Sequence, residues 1–316
     1  MPETAQAAEH QRPPGSSQSS LSSISVCICT RKRPGLLRRC LEGIAHQATA
    51  GRFRFSIVVA DNDAERSAHQ TVAAFAAASG LDVTYCVEPE QNIALARNKA
   101  LEYASSDFVA FIDDDEFPAS DWLTRMLDAC DRYGVDGVLG PVKPFFDQPP
   151  PQWLIRGRFC ERPEHPTGSV LAWRQTRTGN VLFRRSILVG LGVPFRREFG
   201  NGGEDQDFFR RLMAEGRRFI WCNEAIVHEV VPPNRWNRSY MLRKALLRGQ
   251  NEKYLLTASN VAKSVVAVPL YTLMLPFLFL AGQHHFMKYL ISLLDHAGRL
   301  MAAVGLRPLG DKYLAG

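Results

Sequence analysis

Residues 113–116 read Asp-Asp-Asp-Glu, directly after the apolar run Phe108-Val-Ala-Phe-Ile112. Clustered carboxylates repel one another unless a positive charge sits among them. Carboxylate oxygens are hard ligands suited to magnesium or manganese. Asp113 and Asp115 lie two apart with Asp114 between them, at the expected end of a strand. Such a turn can aim one carboxylate at a divalent cation and another at a sugar hydroxyl, with the cation bridging ligand phosphates. An acidic turn open to solvent accounts for the same residues without any ligand.

A second acidic cluster follows two glycines in "GGEDQDFF", where Glu204, Asp205 and Asp207 open a helix. Acids in a first helical turn favour the helix dipole and need no further role. A carboxylate on a Gly-rich loop is equally suited to act as a general base beside a substrate. Arg31, Lys32 and Arg33 follow the first strand, and Arg97 lies in "ALARN". Any of these cations can face a diphosphate, or serve as ordinary surface charge. His228 interrupts the apolar run "AIVHEVV". It reads as a core histidine unless a metal site adjoins it.

The elements that must hold these groups alternate regularly. Strands are expected at "SISVCICTRKRP", running into a turn, at "FRFSIVVADND", at "LDVTYCVEPE" and at "DFVAFIDDD", from period-two patterning bounded by turn residues. Helices are expected at "GLLRRCLEGIAHQ", at "SAHQTVAAFAAASG" stopped by Gly80, at "NIALARNKALEYASS" capped by Asn92, and at "DWLTRMLDACDRYG" ended by Gly134. This order implies an α/β fold with a mostly parallel sheet and helices on both faces. Ligands of such sheets bind beyond the carboxyl ends of the strands. Here those ends are Thr30 with Arg31, Asp61 with Asp63, Glu88, and Asp113 with Asp115. The second half reads as a Pro-rich loop over the sheet at 140–159, a strand at "GNVLFRR", the "GGED" helix, and one or two strands at 218–233. There is no internal repeat.

The chain has 316 residues, enough for one large domain with an appendage. Its net charge of +6 suits an anionic ligand or membrane surface and is too weak to argue for nucleic acid. Seven scattered cysteines show no paired metal-ligand spacing and read as reduced thiols. Residues 1–22 are polar, lack the apolar core of a secretory signal, and read as a disordered lead-in. Ser264–Gly282 carries no charge and is just long enough to span a bilayer or to lie in its interface. Arg235, Arg238, Arg243, Lys244 and Arg248 precede it, a bias toward the cytoplasmic face and anionic headgroups. "FMKYLISLLDHAGRLMAAVGL" after it has the pattern of an amphipathic interfacial helix. The expected division is a lead-in over 1–22, a catalytic domain over 23–255 and a membrane-associated tail over 256–316.

Six segments in register resemble the inverting glycosyltransferases of family 2, of GT-A fold. They are "SISVCICTRKRPGLLRRCLEGIAHQ", "IVVADNDAERS", "EPEQNIALARNKAL", "FIDDDEFPASDWL", "TGNVLFRR" and "GGEDQDFFRRLMAEGRRF", within residues 22–250. The similarity is greatest to bacterial enzymes that build exopolysaccharides such as succinoglycan, and "HEVVPPNRWNRSYMLRKALLRGQ" points the same way. The resemblance implies a nucleotide-sugar donor, most often a UDP-sugar, with Mn2+ or Mg2+. It implies a glycan or lipid-linked acceptor at the cytoplasmic face of a bacterial inner membrane. By position it places Thr30 and Arg33 at the nucleotide, Asp61 at the uracil, and Arg97 near the base and phosphates. Asp113, Asp114 and Asp115 form the DxD-like motif, with Asp113 and Asp115 toward ribose and metal. Asp205 matches the catalytic base, with Glu204 its neighbour, and His228 lies where some members place a metal-ligating histidine. Where many members read Asp-Asp-Gly-Ser, this chain reads Asp61-Asn62-Asp63, so Asp63 shares the expected nucleoside contact. The rival readings are a sugar-nucleotide pyrophosphorylase, which "TRKRPG" matches poorly, and a non-catalytic membrane-bound binding protein, against which Asp113, Asp115 and Asp205 argue.

Overall fold

The computed structural model describes residues 21–200, 202–251 and 257–306. The expected lead-in, except its last two residues, and the expected boundary at 255 lie outside these. The first half forms β1 (Ser22–Thr30), α1 (Pro34–Ala45), β2 (Phe53–Asp61), α2 (His69–Ser79), β3 (Val83–Val87), α3 (Ile93–Tyr103) and β4 (Phe108–Phe111). β3, β2, β1 and β4 pair in that order, all parallel. Alternation along β1 divides its side chains between two cores. Ile24, Val26 and Ile28 pack with Leu37, Leu41 and Ile44 of α1, whereas Cys27 packs on the other face with Ala94 and Ala100 of α3. Both faces of the sheet are covered, and the strand ends are left free to carry polar groups.

The helix boundaries follow local chemistry. Asn92 Oδ1 accepts from the backbone N–H of Ala94 and Leu95 at 3.0 and 3.2 Å, which caps α3 and aims it at the strand ends. Gly80 ends α2 in the left-handed conformation, as the sequence pattern implies.

Next come β5 (Glu116–Pro118), α4 (Trp122–Tyr133), β6 (Gly137–Leu139), β7 (Val142–Phe145), α5 (Gln152–Arg156), β8 (Val181–Arg184), α6 (Glu204–Ala214), β9 (Phe219–Trp221) and β10 (Val227–Val230). The main sheet has the order β3-β2-β1-β4-β8-β6-β9, with β8 antiparallel to both neighbours. A second sheet, β5-β10-β7, begins at the acidic turn itself. The stretch 140–159, expected as loop, therefore contains a strand and a short helix. Val142 is buried in the core, and Pro144 is tolerated because β7 is an edge strand. All seven cysteines are free.

The chain continues as α7 (Arg238–Asn251), α8 (Ala258–Ala281) and α9 (Gln283–Ala303). Among the described residues, α8 alone is long and apolar enough to cross a membrane. It contains Pro269 and Pro276.

Candidate active site

The strand ends assemble one rim. Thr30, closing β1, donates its hydroxyl to Asp114 Oδ2 at 2.7 Å. Arg33, at the start of α1, reaches Asp114 Oδ1 at 3.3 Å and Asp115 Oδ2 at 3.5 Å. Asn62 donates to Glu88 O and accepts from Asn92 N, both at 3.0 Å, and so ties β2 to the β3–α3 loop. Asp61 is fully buried, and its Oδ2 accepts from Ala68 N and Tyr85 Oη, each at 2.8 Å. Burial raises its pKa, against these two hydrogen bonds. Asp61 Oδ1 and Asp63 Oδ2 are buried without a hydrogen-bond partner among the described residues. Two such acceptors, two residues apart at the end of β2, suit a ligand that presents N–H or O–H donors.

The acidic turn is heavily offset by cations. Arg235 Nη2 lies 3.0 Å from Asp115 Oδ2, and its Nη1 lies 2.9 Å from Glu229 Oε1. Arg162 pairs with Glu229 and stands 4.0 Å from Glu116 Oε1. Glu116 Oε2 accepts from the Asp113 backbone N–H at 3.2 Å. Burial, then the charge of Asp115, pushes Asp114 up to about 7. Burial, then Asp113, holds Glu116 well above its usual range. Gly179 lies against this turn. A Cβ there would meet Asp113 Oδ2 and Glu116 Oε1, each at 2.9 Å, so the approach requires glycine. The neighbouring Asn180 is fully buried. It accepts from Trp122 Nε1 at 2.7 Å and donates to Pro141 O and Ala225 O at 2.8 Å, which fixes the approach.

The second acidic cluster opens α6. Its N-cap Gly203 adopts φ 91°, a turn that a side chain would strain. Glu204 pairs with Arg97, whose Nη2 lies 3.8 Å from Asp113 Oδ1. Arg97 and Glu204 are both buried, and through the half-exposed Asp113 their bridge joins the α6 N-terminus to the acidic turn. Asp207, also buried, is held by Arg211 at 2.9 Å and Arg196 at 3.6 Å. Asp205 forms no ion pair among the described residues, and its Oδ1 accepts from the Gln206 backbone N–H at 2.7 Å.

The structure thus brings Thr30, Arg33, Asp61, Asp63, Arg97, Asp113, Asp114, Asp115, Glu204 and Asp205 to one end of the sheet, where the parallel strands finish. It does not bring His228 to the acids. That ring stacks on Phe117 at 5.2 Å, and burial, Lys143 and Arg39 lower its pKa. Neighbouring residues of a strand point to opposite faces, so the alternation that carries His228 away brings Glu229 in. Glu229, Arg162, Arg235 and Gly179 are site residues that the motif reading missed. For Glu229 the signal was its place beside His228 in β10.

Among the described residues, no three His, Cys, Asp or Glu side chains are grouped to enclose a metal ion by themselves. The donors present still fit a hard divalent cation. Magnesium is commonly bound by one or two carboxylates, completed by substrate phosphates and water. Burial raises the pKa of Asp113, and the nearby charge of Asp115 adds to that rise.

Comparison with known proteins agrees with this geometry. The family model "Glycosyl transferase family 2" matches residues 25–192. The succinoglycan biosynthesis protein ExoM of Rhizobium meliloti (strain 1021) is 38% identical over 237 residues, 74% of this chain and 75% of that one. Among solved structures, S. aureus TarS 1-349 in complex with UDP-GlcNAc superposes with a TM-score of 0.52 at 14% identity, covering 91% of this chain and 93% of that one. The mannosyltransferase PcManGT from Pyrobaculum calidifontis, in complex with GDP-Man and Mn2+, superposes with a TM-score of 0.55 at 20% identity, covering 93% of this chain and 78% of that one. The fold is therefore of the GT-A type, and the chain belongs to glycosyl transferase family 2.

Proposed function

We propose that the protein transfers a sugar from a UDP-sugar to a hydroxyl of a glycan or lipid-linked acceptor, with inversion, during cell-surface polysaccharide synthesis. The setting is the cytoplasmic face of a bacterial inner membrane, with residues 23–255 as the catalytic domain and 256–316 as the membrane-associated tail. The observation that carries this reading is the Glu204–Arg97–Asp113 bridge. It commits Glu204 to an ion pair, leaves Asp205 without one among the described residues, and links the first turn of α6, which bears Asp205, to the acidic turn. Asp205 is then the base and Glu204 its anchor. The orphaned oxygens of Asp61 and Asp63 support a nucleoside contact, and Thr30 and Arg33 border it. Similarity to ExoM supports a polysaccharide pathway, and the UDP-GlcNAc complex of the TarS structure supports a UDP-sugar.

Asp113 and Asp115 would hold a magnesium or manganese ion, which would supply positive charge for the donor's diphosphate. His228, stacked on Phe117, stands outside that set. Asp205 takes the proton of the acceptor hydroxyl. The freed oxygen attacks the anomeric carbon from the face opposite the leaving nucleotide, so an α-linked donor yields a β-glycoside. Arg97 keeps Asp205 in register with the donor by holding Glu204 and Asp113 together.

The test is nucleotide release by the full chain in detergent from UDP-, GDP- and dTDP-sugars, with Mn2+, Mg2+ or EDTA. Release from one UDP-sugar, lost with EDTA and in Asp115→Ala, is expected. Full transfer by Asp205→Asn refutes the base. Calorimetric binding of UDP with Mn2+ but no turnover with any glycan acceptor would favour a binding protein.

A further inference from the structure

The membrane-facing segment poses a question that hydropathy leaves open: whether α8 crosses the bilayer. Its packing answers it. α8 is joined to α9 along its whole length. Near its start, Ser264 Oγ lies 2.9 Å from His296 Nδ1 and accepts from Arg299 Nη1 at 3.2 Å. In the middle, Tyr271 meets Tyr289 edge-on at 5.6 Å and His296 at 5.8 Å. At the far end, Phe279 meets Phe286 at 5.5 Å, beside the Gly282 turn. Ser264 is fully buried in this seam.

α9 is in turn fastened to α7. A Cβ on Gly249 would lie 2.2 Å from Asp295 O, and one on Gly298 would lie 2.4 Å from Leu246 O, so the two backbones approach as only glycines permit. Arg248 Nε donates to Asp295 Oδ1 at 2.9 Å, and Arg238 Nη2 donates to Gln283 Oε1 at 2.6 Å. α7 follows directly on the Pro233–Trp236 turn, whose Arg235 holds Asp115 and Glu229. The hairpin is therefore continuous with the catalytic domain. A crossing α8 would carry its partner α9 with it and place Lys288, beside the mid-helix Tyr271–Tyr289 contact, in hydrocarbon, with Asp295 and its partner Arg248 drawn to the boundary. Charged groups at that depth are strongly disfavoured.

Away from α9, α8 presents one continuous apolar stripe: Val266, Leu270, Leu273, Phe277 and Leu280, spaced four, three, four and three residues apart. Leu273 and Phe277 are 73% and 72% exposed. Pro269 and Pro276 leave carbonyls of the preceding turns without an amide donor, which water at interface depth can satisfy. From Arg238 to Leu306 the sequence carries eight Lys or Arg and two acids, Glu252 and Asp295. This charge balance complements an anionic lipid surface rather than a second copy of the same face.

We infer that the α8–α9 hairpin is monotopic: α8 lies in the plane of an anionic membrane leaflet with its Val266–Leu280 stripe in the acyl boundary, and the Gly282 turn stays on the side of the catalytic domain. The inference rests on the membrane association proposed above and specifies its geometry.

The experiment uses the full chain in membrane vesicles from expressing cells, oriented so that the catalytic domain is outside. A specific-protease site is inserted between Gly282 and Gln283. In a parallel sample, Gln283→Cys is labelled with a membrane-impermeant maleimide, against the wild-type cysteine background. Cleavage and labelling in intact vesicles are expected. Access only after detergent overturns the in-plane geometry and leaves membrane association standing. The double variant Leu273→Glu, Phe277→Glu is expected to leave the vesicle fraction while keeping wild-type nucleotide release. Flotation with vesicles of phosphatidylglycerol and phosphatidylethanolamine separates the two levels. A wild-type chain that fails to float, or that forms dimers through this stripe without binding vesicles, overturns both the geometry and the membrane association.

Discussion

Replacing Asp114 with asparagine should stabilise the ligand-free protein above neutral pH, with the effect shrinking toward zero as pH falls to about 4. Asp114 is 5% exposed, and burial together with Asp115 raises its pKa from 3.8 to about 7, although Arg33 and the Thr30 hydroxyl oppose the rise. Because the folded value lies above the unfolded one, the folded protein retains a proton that the unfolded chain has released across that window. Stability therefore falls as pH rises from about 4 to about 7, then levels off. A tenfold change in acidity corresponds to about 1.4 kcal/mol, so a rise of about three units makes the wild-type penalty at pH 8 of order 4 kcal/mol. Asparagine has nearly the shape of the protonated acid and carries no charge. It keeps an acceptor for Arg33 and an amide that can donate to Thr30 Oγ1. The assay is thermal unfolding in detergent, followed by far-UV circular dichroism from pH 4.5 to 8.5, for both proteins. Asp113, Glu116 and Glu204 also carry raised pKa values and contribute slope to both curves, so the difference between the curves is the readout. At about 2 °C per kcal/mol for a chain of this size, the gap at pH 8 should be roughly 8 °C. Parallel curves, or an asparagine variant that loses ground as pH rises, would show that Arg33 and Thr30 fully compensate the charge and would refute the argument.

Three further outcomes follow from the site. Arg97→Met leaves Glu204 buried and unpaired, and should cost about 3–5 kcal/mol in unfolding free energy; adding Glu204→Gln should restore most of it, which a double-mutant cycle measures. Gly179→Ala forces Asp113 and Glu116 apart and should weaken Mn2+-dependent UDP binding in calorimetry while the far-UV spectrum stays unchanged. His228→Phe should keep Mn2+ affinity in the presence of UDP within about twofold, since the ring is an aromatic neighbour of Phe117; a large loss would return His228 to the metal set.

The βα alternation, the strand ends and the α3 cap were legible in the sequence because each depends on short-range pattern: period two, period 3.6, and a capping side chain next to its own helix. The acids at 113–116 and 204–207 were visible for the same reason, as local clusters in register with a family pattern. Their division of labour was not. Glu204 and Asp205 are adjacent and chemically alike, and what separates them is Arg97, which lies 107 residues from Glu204 and meets it only once α3 and α6 pack on one face of the sheet. Glu229 and Arg235 joined the site by the same route, through a second sheet whose β5 and β10 are distant in sequence. His228 misled because its meaning turned on which face of β10 it occupies, and only pairing with β5 decides that. The apolar composition of α8 was plain in the sequence, whereas its course along a membrane depends on the seam with α9. Composition and local periodicity are properties of a segment; roles that depend on a partner far along the chain exist only after the tertiary contacts have formed.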